Sequence, residues 1–310
     1  MARTEDIFAT HALLEAIEAT PALKGATLSK ILARSSGLRT VYQGVWNGEP
    51  VIFRHQSGPD AKAIIEKESA EIERVKDWMS AGDFRTIEAL FCDPDLGLLV
   101  LSQAPGASVR HAIREAPDRR SEFVKQSAQW LAHYTKDARK MAKFPHERYL
   151  TRAVPIIEKK LVRRHKGLWQ SVLERMTRMV PETTQRDCVL AQTHGDFHPS
   201  NVMVDGPLMT GFDLGGSHFI PLAKDASRFL VSLEHAIGPS EGPRHFGVNR
   251  AEFDLFCDAL DFDAQQREVY FPFLIGFDIL HRGPARKSKS SGKLASGIAL
   301  AQAYLDQDCA

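Results

Sequence analysis

The chain is poor in cysteine and carries almost no net charge. Its 310 residues include four cysteines, Cys92, Cys188, Cys257 and Cys309, and their spacing matches no metal-binding motif. We therefore expect a reduced, cytoplasmic protein without a disulfide framework. A formal net charge of +1 gives no bulk attraction to polyanions, so we expect no nucleic-acid partner.

Long apolar runs are also missing. No run approaches the roughly 20 residues that a helix needs to cross a bilayer. Glu5 and Asp6 lie where a signal peptide would carry basic residues. We therefore expect neither membrane insertion nor a leader. A chain of 310 residues can form one large domain or two lobes, and it is long enough to bury a substantial core.

The most informative segment covers residues 194–201 and has the sequence HGDFHPSN. Apolar runs precede and follow it, and a turn at residues 205–207 separates it from Asp213. This pattern predicts a strand, a polar loop, a hairpin and a carboxylate at a strand end. Phosphoryl transfer from ATP needs one carboxylate for the acceptor hydroxyl, and an amide with a second carboxylate to hold Mg²⁺. Asp196, Asn201 and Asp213 supply that set.

A second interpretation treats the same loop as a metallohydrolase site. His194, Asp196 and His198 alternate along the chain and could act as metal ligands on one strand face. Such enzymes also need further His and Asp clusters, including a Gly-Asn-His segment, which the sequence does not contain. We expect His194 to support the loop backbone, and for His198 a catalytic and a structural role both remain open.

The loop resembles that of the aminoglycoside phosphotransferase and choline-kinase-like family of small-molecule kinases, because Gly195 follows His194 and Pro199 follows His198. Asp213-Leu214-Gly215 similarly resembles the metal-binding Asp-Phe-Gly of kinases. The resemblance implies an α+β, protein-kinase-like fold of two lobes. Residues 1–103 would form a nucleotide-binding lobe with an antiparallel sheet, and residues 104–310 a mainly helical catalytic and acceptor-binding lobe, with a hinge near 102–106.

The resemblance also implies the cofactors and the roles of the loop residues. The cofactors are ATP and Mg²⁺, and the partner is a small molecule with an acceptor hydroxyl. Asp196 would act as the catalytic base, with His198 as a further catalytic candidate. Asn201 and Asp213 would be the metal ligands.

The first hundred residues contain the expected nucleotide-binding elements. Residues 28–32, 41–46 and 50–54 read as strands, and Asn47-Gly48 is a strong hairpin signal. The helix predicted for residues 61–79 places Glu68 on its apolar face, where a carboxylate needs a partner. Arg54 ends the third strand, where protein kinases and most aminoglycoside kinases carry lysine and choline-kinase-like relatives often carry arginine, so we expect an Arg54–Glu68 pair that holds ATP phosphates. The alternative is an exposed arginine at a strand end.

Further nucleotide contacts are expected from loops and strands of the same lobe. No glycine-rich loop is present, and the expected phosphate turn offers only Ser36 and Gly37. Ile52 and Leu101 are candidates to stack against adenine. Gln103 lies in the predicted hinge, whose backbone resembles the adenine-binding segment of the family.

The acceptor site is less clearly marked. Asp254 and Asp258 recur at helical spacing and could bind an amine-bearing acceptor, or form the acidic outer face of an ordinary helix. Asp278 interrupts an apolar run, and either lines the acceptor pocket or pairs with His281 or Arg282, which is itself a candidate substrate contact. Residues 281–297 are rich in Lys, Arg, Ser and Gly and predict a mobile loop. Asp225 resembles the family's helix-start carboxylate, a capping role.

Two functions of different class follow. The first is an ATP- and Mg²⁺-dependent phosphotransferase that acts on an aminoglycoside-, choline- or sugar-like hydroxyl. The alternative is a catalytically weak nucleotide-binding regulatory protein of the same fold. The sequence specifies neither the acceptor nor the oligomeric state.

Overall fold

The computed structural model of the chain describes residues 11, 13–35, 38–160, 162–215, 218–283 and 291–307. The chain divides into an N-terminal unit, residues 1–105 and 210–217, and a C-terminal unit, residues 106–209 and 218–310. No described helix combines the length and the apolar character that spanning a membrane requires.

Fourteen strands are present among the described residues. They are β1 Thr27–Ser35, β2 Arg39–Trp46, β3 Glu49–Gln56, β4 Phe84–Thr86, β5 Ala89–Asp93, β6 Leu98–Ser102, β7 Ala107–Ser108, β8 Arg139–Lys143, β9 Asp187–Gln192, β10 Val202–Asp205, β11 Leu208–Gly211, β12 Phe219–Pro221, β13 Arg244–His245 and β14 Val248–Asn249.

The described helices begin with α1, residues 13–19. The others are α2 Ala61–Met79, α3 Val109–Glu115, α4 Arg120–Tyr134, α5 His146–Pro155, α6 Lys166–Arg178, α7 Val180–Thr183, α8 Ala223–Ala236, α9 Arg250–Ala259, α10 Phe271–Arg282 and α11 Ser291–Leu305. The fold is therefore α+β, as predicted.

An antiparallel sheet of five strands forms the centre of the N-terminal unit, in the order β1-β2-β3-β6-β5. The predicted β2–β3 hairpin is present, and Asn47 and Gly48 turn the chain with φ values of 53° and 83°. One face of the sheet buries Tyr42, Phe53 and Val100 against α1. Burial of these side chains fixes the strand register, because a slip by one residue would turn them to the opposite face.

Helix α2 packs beside this sheet through the apolar stripe expected from the sequence, which consists of Ile65, Ile72, Val75 and Met79. Glu68 lies on the same buried face, as predicted. Glu71 is also buried, and Arg74 one turn later donates two hydrogen bonds to it, at 2.6 and 3.1 Å.

Most of the C-terminal unit is helical, and α8 and α10 lie at its centre. Between α4 and α5 lies β8, which pairs antiparallel with β9 at residues 187–191. Strand β9 leads directly into the loop 194–201, and β10 follows that loop.

The predicted mobile loop at residues 281–297 is wrong for its described parts. Helix α10 extends to Arg282, and α11 begins at Ser291. The start of α11 is difficult to recognise in the sequence, because the residues around it are basic or small and show no apolar periodicity. Its stability comes from the following turns, where Leu300, Ala301 and Tyr304 are buried.

Candidate active site

A chain of charged contacts occupies the N-terminal unit where β2, β3, α2 and the segment after β11 meet. Arg54 Nη1 donates to Glu68 Oε1, so the ion pair expected from the sequence is present. The same nitrogen lies 2.9 Å from Asp213 Oδ1. Arg39 also contacts Asp213, with its two terminal nitrogens 3.1 and 3.4 Å from the two carboxylate oxygens.

Burial determines the electrostatics of this group. Glu68 is 1% exposed. Loss of hydration raises its pKa to about 7, and the nearby Asp213 carboxylate adds to the rise, although the Arg54 guanidinium opposes it. Glu68 is therefore protonated more easily than an ordinary glutamate.

Asp213 is held in an uncommon backbone conformation. Its φ is +65°, in the left-handed region that few residues other than glycine, asparagine and aspartate adopt. Its carbonyl accepts a hydrogen bond from Gly215 N at 3.0 Å, which closes a tight turn. The carboxylate meets Arg39 and Arg54 from this turn.

The other residues predicted to contact nucleotide are partly described. Ile52 and Leu101 are directly paired between β3 and β6, so the two adenine candidates are neighbours. Gln103 follows β6, and its side-chain oxygen accepts a hydrogen bond from Gln43 Nε2 at 3.1 Å. Ser36 and Gly37 lie outside the described residues.

In the C-terminal unit, the loop 194–201 rests on a stack of buried aromatic rings. Phe197 lies 5.5 Å from Trp130 and 5.1 Å from Phe229 between ring centroids, and all three are fully buried. Packing of three rings fixes the loop at its centre, because each buried aromatic excludes a large apolar area from water. The polar residues on either side of Phe197 are thereby held in place.

The first part of the loop is fixed through its backbone. Gly195 has a φ of +80°, and its N–H donates to Asp225 Oδ2 at 3.0 Å. Asp225 therefore supports the loop and does not cap α8, which differs from the expected capping role. His194 is fully buried, and its Nδ1 accepts from Asp196 N at 3.4 Å. This backbone contact agrees with the support role expected for His194 and disfavours the metallohydrolase interpretation.

Asp196 presents its carboxylate to three cationic or ionisable side chains. Arg228 and Arg282 each place a terminal nitrogen 3.3 Å from Oδ1, and His198 Nε2 lies 3.5 Å from Oδ2. Burial by itself raises the pKa of Asp196. The hydrogen bond and charge of His198, together with Arg228 and Arg282, outweigh that effect and hold the pKa well below its ordinary value. Asp196 is thus ionised at neutral pH, with 54% of its side chain exposed.

Asn201 is tied to the same loop. Its side-chain Nδ2 donates to the Asp196 carbonyl at 3.1 Å, and its backbone N–H donates to the His198 carbonyl at 2.9 Å. His198 Nδ1 in turn accepts from Ser200 N at 3.2 Å. Because the amide nitrogen of Asn201 faces the backbone, the side-chain oxygen is the atom left for a ligand.

Asp278 and the α9 carboxylates pair with cations of the protein. Asp278 is 0% exposed and bonds to Lys224 and Ser227, and not to His281 or Arg282, which was one of the two roles expected for it. Complete burial removes it from direct contact with an acceptor. Asp254 lies 3.5 Å from Arg250, and Asp258 lies 2.6 Å from Arg267.

The donor atoms of the predicted metal ligands suit Mg²⁺. Asp213 offers carboxylate oxygens and Asn201 an amide oxygen, and hard oxygen ligands are those that magnesium prefers. The structure therefore provides ligand chemistry of the right type in each unit.

Arg39, Arg228 and Lys224 were missed from the sequence. Each becomes significant through a residue distant in the chain: Arg39 through Asp213, Arg228 through Asp196, and Lys224 through Asp278. A partial signal existed for Lys224, because Asp278 stands as a single charge in an apolar run and a buried charge needs a partner, but Lys224 itself lies next to Asp225 and four residues before Arg228.

Comparison with known proteins places these features in a family. The model of the phosphotransferase enzyme family (APH) matches residues 34–255. No curated protein sequence matches the chain.

Three solved structures illustrate the likeness in fold. Aminoglycoside phosphotransferase APH(4)-Ia superposes with a TM-score of 0.61 at 11% identity, covering 96% of this chain and 97% of that one. Amicoumacin kinase hAmiN, in complex with AMP-PNP, Ca²⁺ and Ami, gives 0.59 at 14% identity, with 96% and 93% covered. Choline kinase LicA from Streptococcus pneumoniae gives 0.56 at 11% identity, with 96% and 99% covered.

Proposed function

Because the chain belongs to the phosphotransferase enzyme family, we propose that it transfers the γ-phosphoryl group of ATP to a hydroxyl of a small molecule. The observation that carries the proposal is the environment of Asp196. This carboxylate is ionised, half exposed and fixed by the loop 194–201, as a base that receives a hydroxyl proton must be.

Asp196 acts as the general base in this transfer. The acceptor oxygen forms a bond to the γ-phosphorus, and the bond from that phosphorus to the bridging oxygen of ADP breaks. The hydroxyl proton passes to a carboxylate oxygen of Asp196, and the electron pair of the broken bond remains on ADP. Since the transition state is loose, positioning and charge stabilisation provide most of the rate enhancement.

The remaining residues position the phosphates and the metal. Arg54 is held by Glu68 and binds phosphate oxygens, in the place where protein kinases and most aminoglycoside kinases carry lysine. Its planar guanidinium group can donate two hydrogen bonds. We assign Asn201 and Asp213 as Mg²⁺ ligands. The metal, when bound, neutralises charge on the phosphates. His198 orients Asp196 through the contact between their side chains.

Nucleotide and metal use is supported from one further direction. The hAmiN kinase of the same fold was solved with AMP-PNP and Ca²⁺. ATP and Mg²⁺ are the corresponding physiological pair, and we propose them for this chain.

Replacement of Asp196 by alanine tests the proposal. ADP release and ³¹P NMR of the product should show a loss of about 10²- to 10⁴-fold in turnover. Asp118→Ala removes an exposed carboxylate elsewhere in the C-terminal unit and serves as the matched control. A near-normal rate in Asp196→Ala would refute the assignment. Nucleotide binding without any ATP turnover in the wild type would favour the regulatory alternative.

A further inference from the structure

Two arginines from different helices converge on one oxygen of the proposed base. Arg228 belongs to α8 and Arg282 to α10, and each places a terminal nitrogen 3.3 Å from Asp196 Oδ1. Their side chains are 14% and 27% exposed, beside a carboxylate side chain that is 54% exposed. Anything that places a hydroxyl against Asp196 must also meet these two cations.

A buried ion pair sets the position of both arginines. Lys224 precedes Arg228 by one helical turn, and Asp278 precedes Arg282 by one turn. Lys224 Nζ lies 2.5 and 2.7 Å from the two oxygens of Asp278, which ties α8 to α10. Arg228 and Arg282, one turn further along α8 and α10, therefore both reach Asp196 Oδ1.

Among the residues that the structure describes, positive charge exceeds negative charge around this point. The charged groups come from α8, α10, the loop 194–201 and the segment before α6. The cations are the two arginines themselves, Lys160 and Lys224, and the anions are Asp196, Asp225 and Asp278. Burial, together with the positive charges of Lys160, Lys224 and Arg228, lowers the pKa of His281 to about 4 although Asp278 opposes the change, so His281 is neutral here.

The arginines also have donors to spare. Each guanidinium carries five N–H groups, and its contact with Asp196 uses one nitrogen. In the part of the chain that the structure describes, the buried Nε of each arginine has no hydrogen-bond acceptor. A group with more than one acceptor oxygen would complement this arrangement better than the single contact with Oδ1.

Resting on the proposed function, we propose that the phosphoryl acceptor is an anionic hydroxyl compound whose carboxylate or phosphate group binds Arg228 and Arg282 beside Asp196. The anionic group forms no bond in the reaction; it holds the hydroxyl against the base. An amine-bearing acceptor would place its cation next to two guanidinium groups and be repelled, so the same residues discriminate against choline-like and aminoglycoside-like compounds.

A panel of acceptors matched in skeleton and different in charge tests the proposal. Glucose, glucosamine, glucuronate and glucose 6-phosphate form one set, and glycerol, serinol, glycerate and glycerol 3-phosphate form another. We expect kcat/KM from ADP release to be about 10- to 100-fold higher for an anionic member than for its neutral or cationic partner. Comparison of glucuronate with glucose 6-phosphate, and of glycerate with glycerol 3-phosphate, distinguishes recognition of a carboxylate from recognition of a phosphate.

Three variants show whether the arginines cause this preference. Arg282→Gln should remove most of the anion-to-neutral ratio, and Arg282→Lys should restore part of it, because lysine keeps the charge but not the fork of donors. Arg178→Gln, an exposed arginine at the end of α6, should leave the ratio unchanged. The ratio within one variant is independent of how much of that variant folds.

The outcomes separate this inference from the function on which it rests. A preference for neutral or cationic members, an equal loss for every acceptor in Arg282→Gln, or ATP turnover that no anionic member accelerates would overturn the charge preference and leave the phosphotransferase intact. Absence of ATP turnover in the wild type would overturn the proposed function itself.

Discussion

The buried pair of Lys224 and Asp278 should make a large and strongly coupled contribution to stability. At an effective dielectric constant of 20, charges about 2.6 Å apart attract by about 6 kcal/mol. Removal of both charges from water costs several kcal/mol each, so the pair as a whole contributes little relative to apolar residues. Removal of one partner, by contrast, leaves a buried charge without compensation.

We therefore expect each single replacement, Lys224→Met or Asp278→Leu, to lower the free energy of unfolding by about 3–5 kcal/mol. The double variant should lie within about 2 kcal/mol of the wild type, because neither charge remains. The wild type, the two single variants and the double variant form a double-mutant cycle. Its coupling energy should be larger than that of an ordinary surface ion pair, which is about 1 kcal/mol or less.

Urea unfolding followed by tryptophan fluorescence measures this cycle. Trp130 and Trp169 are fully buried in the C-terminal unit, whereas Trp46 and Trp78 belong to the N-terminal unit. A Trp46→Phe, Trp78→Phe background therefore reports on the unit that contains the pair. With a urea m-value of about 2–3 kcal/mol/M, each single variant should unfold at a midpoint about 1–2 M lower.

Additive effects would refute the reasoning. If the double variant lost the sum of the two single changes, the charges would not act as a pair. A loss below about 1 kcal/mol in both single variants would show that water or another group compensates the remaining charge.

Two further predictions concern pH and backbone geometry. Although burial opposes it, Lys224 and Arg228 keep the pKa of Asp278 below its ordinary value, so this aspartate stabilises the fold above about pH 4 and loses that contribution as the pH falls. The cost of Asp278→Asn, from denaturation at several pH values, should therefore shrink towards pH 2, and a constant cost would contradict this. Gly106→Ala should destabilise by about 1–3 kcal/mol more than Gly25→Ala. Both glycines have positive φ, but only a Cβ at 106 would lie 2.1 Å from the Val204 carbonyl; equal thermal shifts would show that the backbone relaxes.

The parts of the fold and site that could be predicted are those encoded over short distances. The turn at Asn47-Gly48 depends on two adjacent residues that accept positive φ. Glu68 could be identified because a carboxylate on an apolar helix face needs a partner, and a strand-end arginine was available. The loop around Asp196 is defined by spacing within a few residues, and the hydrogen bonds of His198 and Asn201 within it are equally local.

The parts that could not be predicted depend on how distant segments pack. Lys224 and Asp278 are 54 positions apart, and nothing in local periodicity indicates that α8 and α10 lie side by side. Arg39 meets Asp213 across 174 positions. Strand β8 similarly depends on β9, a strand far along the chain that pairs with it.

The left-handed turn at Asp213 changes how that aspartate should be interpreted and probed. Backbone sterics alone favour glycine, asparagine and aspartate at this position, whatever the chemistry performed. An alanine there would disturb the main chain together with the charge, and its phenotype would be ambiguous. Asparagine keeps the turn and deletes only the negative charge, so it isolates the electrostatic role of this side chain.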